Sequence, residues 1–488
     1  MGDFLSWSLA VSLVFLGTQI LLSVRVLLRR SPLVNAPAWL LVLWLLPLAG
    51  MILYLLIGEN RLGSIRRKKF VETQRELASC ANELWLAREE TWDDGYERFR
   101  TLAQLGVSLC DSPPVEGNRL NLHAEADKTL DAMIADINNA TSHCHLLTYI
   151  FHPVGKPLEV AEALSRAAAR GVDCRLAVDS AGSRKFFTSG LAHRLRLSGV
   201  EVLELLEVNP LRLLFRRLDL RNHRKVLVID GRIAYAGSHN MSDDSFRPKG
   251  PNGPGPWHDA TVRVEGYAAR SLALMFISDW NSESERPIQD VDGFLPDLDE
   301  REPDDITSAV QILPSGPEST PGAIQSTFVS AMHLAERELI VTTPYFVPDA
   351  PLMVALTTAA ARGVETTLIV PDNNDAPIVD RAGKANYSKL LDAGVRIMRY
   401  TPGLLHAKTI TVDGKVALIG SANMDQRSFA INFEVTLAVY DNPFASKLRQ
   451  LQEQYIDNSI RVDPETWSDR SIASRLINNA AALFGPLL

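Results

Sequence analysis

The sequence has only four cysteines, and none of them forms a CxxC pair or the spacing of a metal-binding cluster. Scattered cysteines are typical of free thiols in a reducing compartment. No Gly-x4-Gly-Lys-Ser/Thr phosphate loop is present, and no carboxylates are grouped for a divalent metal. We therefore expect neither a metal nor a nucleotide cofactor. The four residues are Cys80, Cys110, Cys144 and Cys174.

Basic residues are fewer than acidic ones, with 50 lysines and arginines against 58 aspartates and glutamates. The 488 residues carry a formal net charge of −8. Nucleic-acid-binding domains are usually basic, because they neutralise phosphates along the strand. The sequence therefore predicts no nucleic-acid partner, although a local basic patch is compatible with this balance.

Two stretches near the N-terminus, residues 4–24 and 31–58, carry no charged side chain. Each is long enough to cross a bilayer core of about 30 Å, which takes about 20 helical residues. Pro37 and Pro47 are tolerated in membrane helices. A cleaved signal peptide fits less well, because no basic residue precedes the first stretch and a second one follows it. Residues 1–58 are therefore predicted to form two transmembrane helices.

Basic residues flank the second apolar stretch unequally. The larger group follows it, which favours the cytoplasmic face for the long C-terminal part of the chain. The smaller group comprises Arg25, Arg29 and Arg30, and the larger comprises Arg61, Arg66, Arg67, Lys68 and Lys69.

The remaining chain reads as a helical connector near the membrane, residues 59–112, and two related halves, 113–300 and 301–488. Each half alternates helix-like and strand-like runs in the same order, which predicts an α/β fold with mixed sheets and helices packed outside. The helix-like runs cover about residues 124–140 and 325–338. The predicted strands cover 146–151 and 174–178 in the first half, and 339–346 and 366–370 in the second; a further strand begins near 200 and 395.

One motif occurs twice, about 180 positions apart. It reads His-x-Lys, four residues and Asp-Gly, and an apolar run then leads to Gly-Ser-x-Asn. Two copies that keep every polar member are a strong signal, whereas a single His-x-Lys is not. The first copy contains His223, Lys225, Asp230, Ser238 and Asn240; the second contains His406, Lys408, Asp413, Ser421 and Asn423.

The residue types of this motif suit a phosphate group. Side chains at i and i+2 share one face of a strand, so each histidine points the same way as its lysine. Lysine, serine and asparagine donate hydrogen bonds to phosphate oxygens, and the imidazole is free for chemistry. We interpret the two aspartates mainly as turn residues, since Asp-Gly favours a tight hairpin. The simpler alternative is a repeated hairpin with surface histidine and lysine residues.

The paired His-x-Lys-x4-Asp motifs resemble those of the phospholipase D superfamily. The residues around them resemble bacterial cardiolipin synthases over nearly the whole chain. This resemblance implies two α/β/α halves related by a pseudo-twofold axis, which brings both motifs into one cleft. The strings that carry it are 221–225, 420–429, 432–434, the apolar segment 38–50 and the terminal residues 486–488.

Two further carboxylates occupy matching positions after the motifs. Glu434 follows His406 by 28 residues, and Asp259 follows His223 by 36, with a Pro/Gly-rich insertion at 248–256. A catalytic imidazole usually needs a partner on its second nitrogen. The resemblance implies this role for an acidic residue here; the alternative is an ordinary surface carboxylate.

The resemblance implies transfer of a phosphatidyl group between two phosphatidylglycerol molecules, giving cardiolipin and glycerol. It implies that His223 is the nucleophile, forming a phosphatidyl-histidine, and that His406 is the acid and base; the sequence itself does not separate these roles. The lysines and asparagines are expected to hold the phosphate. The expected location is the bacterial cytoplasmic (inner) membrane, with several spans.

Several alternatives stay open. A phospholipase D hydrolase, or a transferase with another donor or acceptor such as phosphatidylethanolamine, would use the same residues. A superfamily nuclease fits poorly with apolar spans and an acidic chain, and a non-enzymatic membrane scaffold fits poorly with two intact motifs. The CDP-alcohol type of synthase would need a motif of spaced aspartates, which this sequence does not contain. The sequence leaves the oligomeric state open, a homo-oligomer included.

A few further residues are candidates for contacts with the cleft or the membrane. The segment 211–217 mixes apolar side chains with three arginines and suits either a headgroup layer or a packed helix. His239 and His258 suit local packing or substrate contacts. Aromatic residues at family cleft positions, for which a core role is at least as plausible, are Tyr149, Phe151, Tyr345 and Phe346.

Overall fold

The computed structural model describes residues 2–28, 35–58, 64–86, 95–207, 217, 219–247, 249–250, 253–295 and 308–485. The chain divides into two compact units. One comprises Met1–Ser64 with Val208–Leu220, and the other Ile65–Glu207 with Arg221–Leu488. Most of segment 211–217 and all of 486–488 lie outside the described residues.

The described residues of the first unit form three helices: α1 (Gly2–Leu28), α2 (Asn35–Leu45) and α3 (Pro47–Ile57). The prediction of one continuous second helix was wrong, because the chain breaks at Leu46 (φ −124°, ψ 68°). The residue before a proline is disfavoured in the helical conformation, and Pro47 follows. No helix in the described part of the chain combines the length and apolarity of a bilayer-spanning helix.

The three helices share a small apolar core made by Leu22, Val26, Leu43, Met51 and Tyr54. Polar side chains of α1 are satisfied inside this core. Gln19 Nε2 donates to the Leu43 carbonyl at 2.8 Å. Such a bond compensates the burial of the amide.

The second unit holds all the strands and the remaining helices. The helices are α4 (Ser64–Leu86), α5 (Arg100–Cys110), α6 (Ala126–Asn139), α7 (Lys156–Ala169), α8 (Arg184–Thr188), α9 (Leu191–Leu197), α10 (Tyr267–Glu283), α11 (Ala323–His333), α12 (Ala350–Ala361), α13 (Pro377–Lys384), α14 (Tyr387–Asp392), α15 (Gln426–Ala430), α16 (Asn442–Asp457), α17 (Pro464–Ser468) and α18 (Ile472–Ala482). The strands are β1 (Val115–His123), β2 (His143–Thr148), β3 (Asp173–Asp179), β4 (Glu201–Leu205), β5 (Val226–Ile229), β6 (Ile233–Gly237), β7 (Trp257–His258), β8 (Thr261–Gly266), β9 (Ser308–Ser315), β10 (Glu338–Thr342), β11 (Glu365–Pro371), β12 (Arg396–Tyr400), β13 (Leu404–Leu405), β14 (Thr409–Val412), β15 (Val416–Gly420), β16 (Glu434–Tyr440) and β17 (Ser459–Arg461).

Fifteen strands form one mixed sheet in the order β17-β12-β11-β10-β14-β15-β16-β9-β1-β8-β6-β5-β2-β3-β4. Read outward from the central antiparallel pair β1–β9, the two sides repeat each other, apart from the extra edge strand β17. Parallel pairs β2–β3 and β10–β11 occupy equivalent places. The sequence prediction of a mixed α/β fold with two repeated halves is confirmed.

The predicted elements are present, although β2 begins three residues before the predicted strand and β10 ends four residues before its predicted end. The runs 124–140 and 325–338 correspond to α6 and α11, and the predicted strands correspond to β2, β3, β4, β10, β11 and β12. Strands such as β16 are buried along their whole length. A strand that is covered on both faces reads as a continuous apolar run, which explains why these strands were visible in the sequence.

Both Asp-Gly pairs form the predicted hairpin turns. Asp230 and Gly231 have φ of 51° and 63°, and Asp413 and Gly414 have 52° and 65°. Positive φ at both central residues defines the type I′ turn, whose twist matches that of the flanking strands. The turns join β5 to β6 and β14 to β15, and each closes with one backbone hydrogen bond: Arg232 N to Ile229 O at 3.1 Å, and Lys415 N to Val412 O at 3.0 Å.

The segment before β1 packs on the second unit. On α4, Lys69 Nζ donates to the Ser284 carbonyl at 2.7 Å and Gln74 Nε2 to Ser278 at 3.0 Å, so this helix lies along the end of α10. On α5, Leu102 and Ala103 join the core of the second half.

Candidate active site

Each His-x-Lys segment runs into the first strand of its hairpin and hydrogen-bonds to the opposite half of the molecule. The His223 amide donates to the Phe433 carbonyl at 2.8 Å, and the His406 amide donates to the His258 carbonyl at 2.7 Å. The strands themselves begin one residue after each lysine. These bonds bring the two motifs together at the junction of the halves.

Each motif histidine contacts a carboxylate that the other half supplies. His223 Nδ1 lies 3.0 and 2.9 Å from the two oxygens of Glu434. His406 Nδ1 lies 2.6 Å from Asp259 Oδ1. Both predicted carboxylates therefore contact a motif histidine, but each serves the histidine that is remote in sequence. All four side chains are buried.

Burial sets the charge state of these pairs. It lowers the pKa of His223 to about 4 and that of His406 to about 3, so both imidazoles are neutral at neutral pH. Burial opposes ionisation of Asp259 and Glu434, but the adjacent histidines hold the pKa of each carboxyl below its usual range. Each histidine therefore donates its Nδ1 proton to a carboxylate, which leaves the Nε2 lone pair available.

Ser238 and Ser421 are placed behind this site rather than in it. Ser238 Oγ donates to Asp259 at 2.6 Å, and Ser421 Oγ donates to Glu434 at 2.5 Å. Both serines are fully buried. A hydroxyl has one proton to donate, so these contacts take up the donor that was predicted to bind phosphate. The geometry assigns the serines to orienting the carboxylates.

The two carboxylates differ in their surroundings. Glu434 also accepts from Ser428 Oγ at 3.0 Å and from Asn432 Nδ2 at 3.3 Å. Asp259 keeps one oxygen, Oδ2, without a hydrogen-bond partner among the described residues. Asp259 thus accepts fewer hydrogen bonds than Glu434.

Lys225 and Lys408 are buried cations without a carboxylate partner. Each side chain donates to the carbonyl of its own motif histidine, His223 or His406, and neither ammonium lies within 4.0 Å of a carboxylate oxygen in the described chain. Burial lowers the pKa of Lys408 to about 8 and that of Lys225 well below its usual range. The charges of Asp259 and Glu434 act on both lysines from beyond salt-bridge distance, but burial outweighs them, so this site favours an anion.

The two lysines also show that the motifs share one site. The charge of Lys408 lowers the pKa of His223, and the charge of Lys225 lowers that of His406, each as a smaller effect than burial. Such mutual effects require that the two motifs lie close together in a medium of low dielectric constant.

Asn240 and Asn423 are buried beside these groups. Asn240 Oδ1 accepts from the Ile150 amide at 3.1 Å, and its Nδ2 has no partner within the described residues. Asn423 leaves its side-chain oxygen without a described partner. A half-turn of that amide would present a donor instead. Unlike the serines, the asparagines retain hydrogen-bonding capacity for a substrate.

The glycine of each Gly-Ser-x-Asn string permits a close backbone approach. A Cβ on Gly237 would collide with the Ala260 carbonyl, and one on Gly420 with the Val435 carbonyl. Gly237 ends β6, which pairs with β8, and Gly420 ends β15, which pairs with β16. Asp259 lies two residues before β8, and Glu434 is the first residue of β16. The glycines thus allow each serine to reach its carboxylate.

Asp230 and Asp413 are in the hairpin turns. Asp230 accepts from the amides of Thr141, Ser142 and His143 at 2.8–2.9 Å. Asp413 accepts from the amides before β10 and pairs with Arg98. Neither contacts a motif histidine or lysine, which agrees with the interpretation of both as turn residues.

Aromatic rings cover both histidines. The Tyr149 ring lies 4.9 Å from His223 at 66°, and the Trp257 ring lies 4.1 Å from His406 at 32°. Tyr149 was expected at the cleft, whereas Phe151 and Phe346 are core residues. Trp257 was missed, although its position two residues before Asp259 on an extended segment was a usable signal.

Arg224 was also missed. It is the middle residue of the first His-x-Lys, where the second copy has Ala407. Its guanidinium pairs with Asp279 at 2.7 Å and donates to the carbonyls of Glu434 and Ser315 at 3.0 and 3.1 Å. This buried arginine ties the first motif to the second half.

His239 and His258 contribute locally. His239 Nε2 lies 2.9 Å from the Ser242 carbonyl, and the His258 ring packs against Tyr400. Within the described ranges, no three His, Cys, Asp or Glu side chains are grouped so that they could hold a metal ion.

Comparison with known proteins gives consistent matches. A family described as "Cardiolipin synthase, PLD-like domain" matches residues 133–252 and 328–456, and one described as "Phospholipase_D-nuclease N-terminal" matches 19–59. Proteins named Cardiolipin synthase A from Yersinia pseudotuberculosis serotype O:1b (strain IP 31758) and from Yersinia pestis are each 39% identical over 468 residues, covering 96% of this chain and 95% of theirs.

The fold has a solved counterpart. The crystal structure of phosphatidylserine synthase from Haemophilus influenzae Rd KW20 superposes with a TM-score of 0.57 at 14% identity, covering 80% of this chain and all of that one. At this identity the likeness concerns the fold alone. The repeated family match and the near full-length relatives go further: this chain belongs to the cardiolipin synthase family of phospholipase D-like proteins.

Proposed function

We propose that this protein is a phosphatidyltransferase that joins two phosphatidylglycerol molecules into cardiolipin and glycerol. The observation that carries the proposal is the pair of buried ammonium groups, Lys225 and Lys408, which lack carboxylate partners beside two neutral histidines. A bound phosphodiester supplies the missing negative charge. The curated relatives, named cardiolipin synthase, support the choice of substrate.

In the first step, His223 Nε2 attacks the phosphorus of phosphatidylglycerol. A phosphorus–nitrogen bond forms and the bond to the glycerol oxygen breaks, with a proton passing from His406 to that oxygen. The anionic substrate raises the pKa of His406 on binding, so His406 takes up a proton from solvent on Nε2 and can then act as the acid. Free glycerol leaves, and His406 is neutral again.

In the second step, His406 takes the proton of a primary hydroxyl on a second phosphatidylglycerol. The oxygen attacks phosphorus and the phosphorus–nitrogen bond breaks, so His223 is restored. When cardiolipin leaves, His406 returns its proton to solvent and is neutral again. One phosphodiester replaces another, so the exchange needs no nucleotide to drive it. The lysines and Asn240 would stabilise the charge on the phosphoryl oxygens.

The carboxylates favour this division of roles. Both resting histidines are neutral, so their pKa values do not separate nucleophile from acid. Oδ2 of Asp259 has no hydrogen-bond partner among the described residues. The oxygens of Glu434, by contrast, also accept from Ser421, Ser428 and Asn432. Asp259 is therefore better able to stabilise an imidazolium. His406, on Asp259, is therefore assigned as the acid and base, and His223 as the nucleophile.

We further propose that the apolar helices α1–α3 hold the enzyme on the bacterial cytoplasmic membrane, with the second unit on the cytoplasmic side. The uncharged stretches 4–24 and 31–58 and the family match at 19–59 support this placement. A hydrolase, or a transferase with another acceptor such as phosphatidylethanolamine, would use the same histidines. These alternatives differ from the proposal in the acceptor.

The test is a lipid assay on purified full-length protein in mixed micelles, with labelled phosphatidylglycerol as the sole phospholipid and no added metal or nucleotide. We expect cardiolipin and free glycerol, and loss of both products in His223→Ala and His406→Ala. Phosphatidic acid in place of cardiolipin would indicate a hydrolase. If phosphatidylglycerol gave no product but phosphatidylethanolamine did, the proposed donor would be wrong.

A further inference from the structure

Helix α18 has an inverted distribution of polarity. Its inward face is small and polar: among its eleven residues only Asn478 and Ala481 are buried. Its outward face carries large apolar side chains, with Leu476 63% exposed and Ile472 75% exposed. A helix packed on a water-soluble domain normally buries its apolar face and exposes its polar one.

The outward apolar face is continuous. At 3.6 residues per turn, the seven residues 472, 473, 476, 477, 480, 483 and 484 fall within an arc of about 140°. The turn after α18 extends this face, since Leu483 is 82% exposed and Phe484 is also exposed. Arg475 and Asn479 border it on one side. Such a face is larger than the isolated exposed side chains that are normal on protein surfaces.

The position of α18 connects this face to the active site. Ala481 packs against Val347 and Ala382, so α18 rests on α13. Ile378, in the first turn of α13, is also exposed. Just before α13, Asp375 accepts the Tyr345 hydroxyl at 2.8 Å, and its charge acts on the active-site Lys408. The exposed apolar surface thus adjoins the wall of the cleft.

The charges beside this surface identify its partner. Arg475 lies on its margin, and the Arg470 guanidinium lies 3.5 Å over the Trp467 ring and close enough to Arg475 for repulsion to lower its pKa, although burial is the larger cause. Two adjacent guanidinium groups beside an apolar face match lipid phosphates above acyl chains. A second copy of this acidic chain offers no such phosphate layer.

We propose that α18, residues 483–484 and the first turn of α13 form a docking surface for an anionic lipid bilayer. This surface holds the cleft mouth at the headgroup layer, where a lipid substrate enters. The docking surface belongs to the second unit, whereas the N-terminal apolar helices belong to the first. It rests on the proposed function only for the identity of the substrate that it delivers.

The direct test is photocrosslinking of the full-length protein in vesicles of phosphatidylglycerol and radiolabelled phosphatidylcholine. A photoreactive benzoylphenylalanine replaces Leu476, and the matched control replaces Leu197, which is 75% exposed on α9 in the first half. We expect a radiolabelled lipid adduct at position 476 and none at 197. A crosslinked protein dimer at 476, or equal labelling at both positions, would overturn the proposal.

A second measurement concerns function. The double variant Leu476→Asp with Leu483→Asp should lower the rate on vesicles at least tenfold, since a tenfold change corresponds to about 1.4 kcal/mol, which is less than the burial of two leucine side chains contributes. The rate in detergent micelles should stay at the parental value, and Leu197→Asp should change neither. A fall in both media, with unaltered thermal unfolding, would count against docking. Because the lipid adduct is measured without turnover, failure of the proposed reaction would not remove it.

Discussion

At the scale of single residues, the chemistry depends on keeping two buried histidines neutral. His223 and His406 each donate one ring proton to a carboxylate and present the other nitrogen, Nε2, to the cleft. Burial keeps protons off Nε2, and neither lysine ammonium forms a salt bridge with a carboxylate among the described residues. The resting site therefore favours the binding of an anion, and the bound anion raises the pKa of His406.

These values predict the pH dependence of kcat/KM, which reports ionisations of the free enzyme. Protonation of His223 blocks the nucleophile, so activity should fall as the pH drops through about 4. Loss of the Lys408 proton removes a cation from the phosphate site, so activity should also fall as the pH rises through about 8. The measurement is the initial rate of p-nitrophenol release from a low concentration of a phosphatidyl ester of p-nitrophenol, because this leaving group needs no proton from His406.

Lys408→Arg separates the alkaline limb from other causes. A guanidinium stays charged at every pH in this range, so the variant should lose the limb near pH 8 even if its plateau is lower. An alkaline limb that persists in Lys408→Arg would show that another group produces it.

The sequence predicted which residue types gather in the site but not all of their contacts. The histidines, lysines and carboxylates stand out because the pattern is repeated. Ser238 and Ser421 have the same repeated signal, yet they donate to Asp259 and Glu434. The spacing of the motif in the sequence shows that a serine hydroxyl lies near the site. Only the distances in the structure show which group accepts its one proton.

At the scale of elements, the Asp-Gly turns set the register of each motif. The type I′ turn fixes where β5 meets β6, and the Asp230 carboxylate fastens the turn to the amides that begin β2. The histidine lies seven residues before this aspartate, three residues before β5 begins. The turn thus positions the motif without taking part in its chemistry.

Asp230→Ala should therefore reduce stability and leave the chemistry intact. Three amides lose a charged acceptor, which should cost about 2 kcal/mol of unfolding free energy. Denaturant unfolding measures this loss, and the kcat of the folded variant should match the parent. Asp230→Asn, which keeps one acceptor oxygen, should lose less. A large fall in kcat at unchanged stability would instead place Asp230 in the reaction.

Local pattern predicted most elements of the second unit because its strands are covered on both faces. It failed where one residue overrides a long apolar run. In residues 31–58 the hydropathy suggested one helix, whereas Pro47 forces a break at Leu46 and yields α2 and α3. The inverted face of α18 was also missed, since periodicity shows an apolar stripe but not which way it points.

At the scale of the whole molecule, one site is assembled from both halves. The antiparallel pair β1–β9 continues the sheet across the pseudo-twofold axis, and each half supplies the carboxylate for the histidine of the other. Each carboxylate follows its own motif along the chain, so the sequence suggests pairing within a half. The exchange arises only when the halves pack together.

This exchange makes a prediction with a phosphatidyl ester of p-nitrophenol. That leaving group departs without protonation, so the first step needs His223 and Glu434 but not His406 and Asp259. Asp259→Asn should release a burst of about one p-nitrophenolate per enzyme and then stall, because no base activates the acceptor. Mass spectrometry should find the phosphatidyl group on His223.

Glu434→Gln should show no burst, with release slowed by roughly three to four orders of magnitude, since the amide favours the wrong tautomer of His223. If each carboxylate served the histidine of its own half, the two variants would exchange behaviour: Asp259→Asn would lose the burst and Glu434→Gln would keep it. A burst in both variants would mean that neither carboxylate controls the nucleophile. The p-nitrophenolate bursts of the two variants thus test which half supplies the carboxylate for each histidine.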